Sequence, residues 1–496
     1  MSDSRKRQIE FGDFQTPDDL AQVVCGRLVA LGIHPDFVIE PTCGKGAFVV
    51  AAANTFPGAE ILGFETNASY LNILHSRLLG LERSTRISLE QADFFNTDWR
   101  KKLADRTGTM LVLGNFPWVT NSVQGVIGGA NLPEKSNFLS HNGFEAISGK
   151  ANFDISEWML LEVLRWLQGR TGDVAMLVKT AVARKVLAHA ERQSMAVREA
   201  FLIGINAKRH FGASVEACLL VIRLSADSIP PNHDYTMFEN LEDGRGRRVG
   251  HRRGLTVGNL DTFETCAHIV GQSPQKWRSG VKHDAASVME FTQTEQGLKN
   301  GLGELVEIES TYLFPLLKGS DVGSARPWRG KYVLVTQRYV GEFTEPLREH
   351  APLTWRYLEK HAGILDARGS TIYAKAPRFS IFGIGDYAFR PWRIAICSLY
   401  KFLRFRLVGP IDGRPVMFDD TIYYLSFDTE MEARNILDKL MSGPALDLLS
   451  ALIFWDEKRP IKTGILNVLD WSLLDSPQSK SRGQLSFNLT QPPFRC

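Results

Sequence analysis

Residues 110–113, Met-Leu-Val-Leu, form an apolar run that Gly114 ends, and Asn115-Phe116-Pro117-Trp118 follow at once. So apolar a run reads as a strand buried on both faces of a parallel sheet, which requires helices packed on either side. That points the chain to an open, doubly wound α/β fold, and the carboxyl ends of its strands are where such sheets place ligands. The four residues standing there suit chemistry on an exocyclic amine of a planar ring. An amine of that kind is a poor nucleophile, because its lone pair is delocalised into the ring. Two acceptors on its hydrogens, the Asn115 side-chain oxygen and a backbone carbonyl next to it, draw that lone pair out of the plane. Trp118 offers a face for the ring to stack on. Taken alone, the same four residues equally describe a strand-end turn with a core tryptophan.

The preceding residues narrow the choice. Residues 14–31 open with a helix start: Thr16 as N-cap, Pro17 in the first helical position, and Asp18-Asp19 at the positive end of the dipole. Leu20, Val23, Val24, Leu28 and Leu31 form the expected buried face. A first strand over 37–40 runs into Pro41-Thr42-Cys43-Gly44-Lys45-Gly46 and an apolar helix from Ala47. The two glycines let a ligand approach the backbone closely. The third glycine of the dinucleotide pattern is missing, which argues against NAD. A second strand over 61–64 ends in Glu65, where such sheets hold a ribose diol. A third, over 87–89, leads to Asp93-Phe94-Phe95, an acid and aromatics that fit an adenine held by its amino group and face.

With these four stations in order, the chain resembles the gamma group of bacterial DNA amino-methyltransferases. Phe14-Gln-Thr16-Pro17 falls on that group's amino-terminal cofactor motif. Glu40-Pro41-Thr-Cys43-Gly44-Lys-Gly46-Ala-Phe48 falls on its Asp/Glu-Pro-x-x-Gly-x-Gly-x-Phe turn. Glu65 and Asp93-Phe94 fall on its ribose and adenine positions, and 115–118 on its Asn-Pro-Pro-aromatic motif. The resemblance implies S-adenosylmethionine as cofactor, with Asn115 also beside it, and methyl transfer to N6 of an adenine extruded from double-stranded DNA. It further implies Phe211 as a second ring against the target base and a restriction endonuclease as a possible partner. Phe116 stands where the group usually has its first proline; the backbone carbonyl is kept and the proline's stiffness is not.

Residues 119–152, rich in Gly, Asn and Ser, read as a lid or binding loop. A helix over 154–167, a strand over 173–178, and a strand–loop–strand over 205–222 carrying Phe211 complete a catalytic domain at 1–228. Residues 229–255 read as a linker. An α+β target-recognition domain is expected over 256–475, by position rather than motif, with a tail over 476–496.

The net charge of +3 conceals a pattern. Residues 310–406 carry 16 Lys/Arg against 7 Asp/Glu, whereas 411–457 carry 3 against 10. Residues 244–253 add five arginines, Arg245, Arg247, Arg248, Arg252 and Arg253, and no acid. Basic stretches interleaved with aromatics are a footprint of nucleic-acid binding, though a solvated face has the same composition. The six cysteines show no paired spacing, so no metal site is expected, and the cytoplasm is the expected compartment. No apolar run approaches the ~20 residues of a membrane span. Three alternatives to adenine N6 stay open: N4 of cytosine, a protein glutamine, and a DNA-binding module without activity.

Overall fold

The computed structural model describes residues 14–79, 86–118, 154–226 and 233–475. The expected binding loop over 119–152, the tail over 476–496 and the amino terminus before Phe14 lie outside them. The chain divides into two compact units, 1–256 and 257–496.

The first unit is doubly wound. Strands β1 (Phe37–Glu40), β2 (Glu60–Glu65), β3 (Ile87–Gln91), β4 (Met110–Asn115) and β5 (Gly172–Lys179) run parallel in the order β3-β2-β1-β4-β5. Next comes β7 (Ala217–Leu224), antiparallel to both β5 and β6 (Val197–Ile205). Continuous apolar runs explain the central strands: β4 is buried from Met110 through Gly114, and β5 from Gly172 through Val178. Around them lie α1 (Asp18–Ala30), α2 (Ala47–Thr55), α3 (Ala68–Leu78), α4 (Trp99–Lys102), α5 (Ile155–Trp166), α6 (Thr180–Arg192) and α7 (Ala207–Phe211).

Three expectations need correction. Helix α1 starts at Asp18, with extended Pro17 as its cap residue and no side-chain cap, so Thr16 does not cap it. Its buried face is Leu20, Ala21, Val24, Cys25 and Leu28, while Val23 is exposed. The stretch 229–255 is not a linker where it is described. It supplies β8 (Tyr235–Phe238), β9 (Arg247–Arg252) and Leu255, the first residue of β10 (Leu255–Val257), which continue the sheet beyond β6. Buried Tyr235, Phe238 and Val249, with Val257 just beyond, explain this: the arginines and glycines of the stretch mask the apolar residues that pack into the core.

The second unit is α+β. Strands β11 (Arg278–Ser279), β16 (Trp392–Cys397), β17 (Arg406–Val408) and β19 (Ile422–Phe427) form an antiparallel sheet in the order β11-β19-β16-β17. A second sheet, β13-β12-β15-β14-β18, joins β12 (Glu290–Thr294), β13 (Gly297–Asn300), β14 (Leu313–Leu317), β15 (Lys331–Leu334) and β18 (Met417–Phe418). Much of the basic charge of 310–406 is engaged inside this unit. Lys318 pairs with Glu290, Arg329 with Asp321, Lys360 with Glu304 and Arg378 with Asp366. Arg393 is fully buried under Tyr424, and burial lowers its guanidinium to about 10.

Burial alone would raise the Glu290 carboxyl, but hydrogen bonds from His283 and Lys318 outweigh it and hold the group at about 2 instead of 4.5. A depressed carboxylate stabilises the fold above its unfolded pKa, and that stabilisation is lost as the pH falls through the folded value. Glu290→Gln should therefore cost on the order of 3 kcal/mol at neutral pH. Thermal melts of variant and wild type should converge between pH 4.5 and about 2.

Candidate active site

The order of the parallel strands reverses between β1 and β4, so the connections leave to opposite faces and open a crevice at the carboxyl ends. Glu40 ends β1 and Asn115 ends β4 at that point. The turn after β1 closes on itself, Gly46 N–H donating to the Cys43 carbonyl at 2.7 Å, while Cys43 N–H donates to Phe64 at 2.7 Å. Gly44 and Gly46 have φ of 53° and 82°, the left-handed region that favours glycine. A Cβ on Gly44 would stand 2.7 Å from the Gln15 Oε1, and one on Gly46 2.1 Å from the Leu74 Cδ1. The glycines thus leave room for the Gln15 amide and the Leu74 side chain to pack against the turn.

Glu65 ties this turn to the end of β2. One carboxylate oxygen accepts the Gly44 N–H at 2.8 Å and the other the Asn67 N–H at 2.9 Å. A carboxylate has about four acceptor positions, so two remain for the hydroxyls of a diol. Glu40 and Pro41 are buried, and the Glu40 Oε2 has no hydrogen-bond partner among the described residues. Burial pushes the Glu40 carboxyl well above its ordinary value; the Val49 N–H opposes this, Glu65 adds to it and Arg77 subtracts. The buried Cys43 thiol is likewise raised by burial and by Glu40.

Asn115 is oriented by the amino-terminal segment. Its Nδ2 donates to the Phe14 carbonyl at 3.1 Å and to the Thr16 hydroxyl at 3.3 Å. Its Oδ1 is buried without a partner among the described residues. An orphaned buried acceptor costs about 1–3 kcal/mol, so the fold holds this oxygen in readiness for a donor. Thr16, expected as a helix cap, orients Asn115 instead.

Asp93 and Phe94 lie after β3. The Asp93 carboxylate accepts the Phe95 N–H at 2.9 Å and the Asn96 amide at 2.6 Å, so it shapes its own turn. The buried Phe94 ring packs in an aromatic layer, 5.2 Å from Trp166, 5.6 Å from Trp99 and 5.4 Å from Phe116. Phe116 itself is fully buried there. Its ring therefore does more than occupy the usual place of proline: it anchors the loop in the core.

Trp118 and Phe211 meet with centroids 5.1 Å apart at 66°. A flat base between two rings needs roughly 7 Å between their planes, twice the carbon contact distance. In this conformation the two rings fill that space themselves. Trp118 is buried, and its Nε1 donates to the Leu177 carbonyl at 3.2 Å; Phe211 is half-buried. Pro117, half-buried, joins the two aromatics of the loop. The arginine stretch is not part of this cluster. It lies on and around β9, five strands from β4 in the sheet, about 24 Å at the usual strand spacing. There Arg252 makes a two-pronged pair with Asp234 at 2.9 and 2.7 Å, and Arg248 lies 3.5 Å from the same carboxylate.

Sequence reasoning missed several contributors. Gln15 accepts the Lys45 N–H of the glycine turn at 3.0 Å, and the Phe14 ring lies 6.1 Å from Trp118. Both sit inside the quoted amino-terminal motif, which was the available signal. Lys179 and Asp154 gave none: the Lys179 Nζ donates to the Trp118 carbonyl at 3.0 Å and to Asp154 at 2.6 Å, a link made only in three dimensions.

No family model matches the chain. The curated Type II methyltransferase M.NspV from Nostoc sp. is 46% identical over 472 residues, covering 95% of this chain and 98% of that one. The chain belongs to the Type II methyltransferases. The solved structure of the Type IIL restriction-modification enzyme MmeI in complex with DNA shares the fold at 12% identity and a TM-score of 0.52. It covers 90% of this chain, which in turn spans 64% of MmeI. The chain is thus a methyltransferase with a Rossmann-like catalytic sheet, and its cofactor is S-adenosylmethionine. The two open positions on Glu65 fit a group carrying a diol, and the orphaned Glu40 oxygen leaves an acceptor for a donor. Among the described residues no helix is long and apolar enough to cross a membrane, and no cluster of metal-ligating side chains occurs.

Phe116→Pro should destabilise the protein despite the stiffness gained. It removes a fully buried ring from the aromatic layer, a loss of about 3–5 kcal/mol on the scale of large-to-small aromatic substitutions. A denaturant titration measures it, and a change below about 1 kcal/mol would show that the layer closes over the gap.

Proposed function

We propose that this chain transfers the methyl group of S-adenosylmethionine to the N6 amino group of an adenine turned out of double-stranded DNA, as a gamma-group enzyme. The observation that carries the proposal is the buried Asn115 Oδ1, aimed with its Nδ2 already engaged, so that the side chain acts only as an acceptor. An exocyclic amine presents two hydrogens, one for this oxygen and one for the Phe116 carbonyl. Accepting both draws the nitrogen lone pair out of conjugation. The cofactor, when bound, supplies an electrophilic methyl group; Glu65 holds its ribose, Asp93 and Phe94 its adenine, and Thr16, Glu40, Pro41, Cys43, Gly44 and Gly46 line its approach. The target leaves the duplex because its amino group is otherwise paired and stacked.

Trp118 and Phe211 take the two faces of the target ring, with Phe211 swinging aside to admit it. The second unit reads the DNA sequence. The arginines from 245 to 253 contact phosphates, with Arg248 and Arg252 the weaker members because Asp234 already neutralises part of their charge. A restriction endonuclease with the same recognition sequence is the implied biological partner.

Two experiments test this. Incubation with isotopically labelled cofactor and mixed-sequence DNA, followed by digestion to nucleosides and mass analysis, should give N6-methyladenine; N4-methylcytosine would overturn the adenine reading. Asn115→Ala should slow a single turnover by at least about a hundredfold while DNA affinity stays within a few-fold. Methylation by that variant at the wild-type rate would remove Asn115 from the chemistry.

Glu65 needs a gentler probe, because its carboxylate also holds two backbone N–H groups of the site. Glu65→Gln keeps one acceptor oxygen and should weaken S-adenosylmethionine binding by about 1.5–3 kcal/mol, read by calorimetry. Unchanged affinity would place the ribose elsewhere.

A further inference from the structure

The loop 115–118 carries the two proposed acceptors yet lacks the first of its usual prolines, so something else must fix its backbone. Proline would hold φ near −65° at position 116. Phe116 precedes Pro117, which confines it to extended conformations without setting that angle. The buried Phe116 ring secures the side chain and leaves the carbonyls downstream to be fixed by other means. At the end of β5, the Lys179 Nζ donates to the Trp118 carbonyl at 3.0 Å and to the Asp154 Oδ2 at 2.6 Å. The Asp154 carboxylate is buried and its other oxygen caps α5, taking the Ser156 N–H at 3.2 Å and the Ser156 hydroxyl at 2.5 Å. One ammonium thus joins the exit of the loop, the start of α5 and the end of β5. The neighbouring Leu177 carbonyl holds the Trp118 indole, so the same strand grips Trp118 by side chain and backbone.

We propose that Lys179 is a positioning residue for methyl transfer. Charged and paired with Asp154, it fixes the Trp118 carbonyl and through the rigid Pro117 peptide sets the direction of the Phe116 carbonyl. The proposal rests on the function proposed above only in taking the Phe116 carbonyl as an acceptor; it is indifferent to which base is methylated.

The test uses the full-length protein. Lys179→Met removes the donor and leaves Asp154 buried alone, so the neutral pair Lys179→Met/Asp154→Asn serves as the second variant, since Asn still caps a helix. Both should lower the single-turnover methylation rate at least tenfold, with S-adenosylmethionine affinity within threefold of wild type. Lys179→Arg, which keeps charge and donors, should recover the rate to within threefold. Hydrogen exchange should accelerate over residues 110–118 and not across the rest of the first unit. A rate within twofold of wild type in the neutral pair would overturn the proposal. So would exchange that accelerates throughout the unit with cofactor affinity lost in proportion, the pattern of a merely structural ion pair. Should wild-type protein methylate no DNA at all, the proposed function fails, and the exchange measurement still decides whether Lys179 holds the loop.

Discussion

The site depends on how one carboxamide is held. Asn115 has two donors and one oxygen, and both donors' nitrogen is tied to the Phe14 carbonyl and the Thr16 hydroxyl. A free carboxamide would rotate until its oxygen also found a donor. Here the amino-terminal segment removes that freedom and leaves a buried acceptor unsatisfied. Local cost of this kind is what preorganised sites store, so that no reorganisation is needed when charge or a proton donor arrives. The segment 14–17 therefore fixes the Asn115 side chain, and Gln15 links it to the glycine turn through the Lys45 N–H.

The aromatic layer beneath the site explains how the chain accommodates phenylalanine at 116. Phe94 lies between Phe116, Trp99 and Trp166, and Trp99 stacks on Trp166 with centroids 4.6 Å apart at 25°. Trp99 Nε1 donates to the Phe94 carbonyl at 2.9 Å, so its polar atom is satisfied within the layer. Edge-to-face and stacked pairs add about 0.5–1.5 kcal/mol each beyond burial. A small proline at 116 would leave a hole in this arrangement. Part of the stiffness of a ring closed on the backbone is supplied here by a ring packed in the core.

Most of the catalytic sheet was legible because parallel strands buried on both faces leave unmistakable apolar runs, as at 110–113, and because glycine turns and strand-end acids follow them in a fixed order. The links between stations were not. That Thr16 would serve Asn115 and not cap α1 depends on a contact between segments far apart in sequence. The strands β8 to β10 were hidden for a different reason. Arg245 to Arg253 suggested a flexible basic connection, but Arg248 and Arg252 lean on Asp234, and Val249 is buried between them. Charge counts mislead in the same way over 310–406, where many cations are partnered within the second unit. Composition counts charges and does not say which have already met their opposites.

The contact between Trp118 and Phe211 bears on how a base could enter. Trp118 is held at its indole by Leu177 and at its carbonyl by Lys179, and it belongs to the buried core. Phe211 has ring contacts with Trp118, Phe14 and His210 and sits at the last position of a short helix. Gly212 follows with φ of 67° and closes the helix, its N–H donating to the Lys208 carbonyl at 3.1 Å. Of two rings that must separate to take a base between them, the one with fewer restraints moves. On the proposed function, Phe211 would then be the adaptable wall and Trp118 the fixed one.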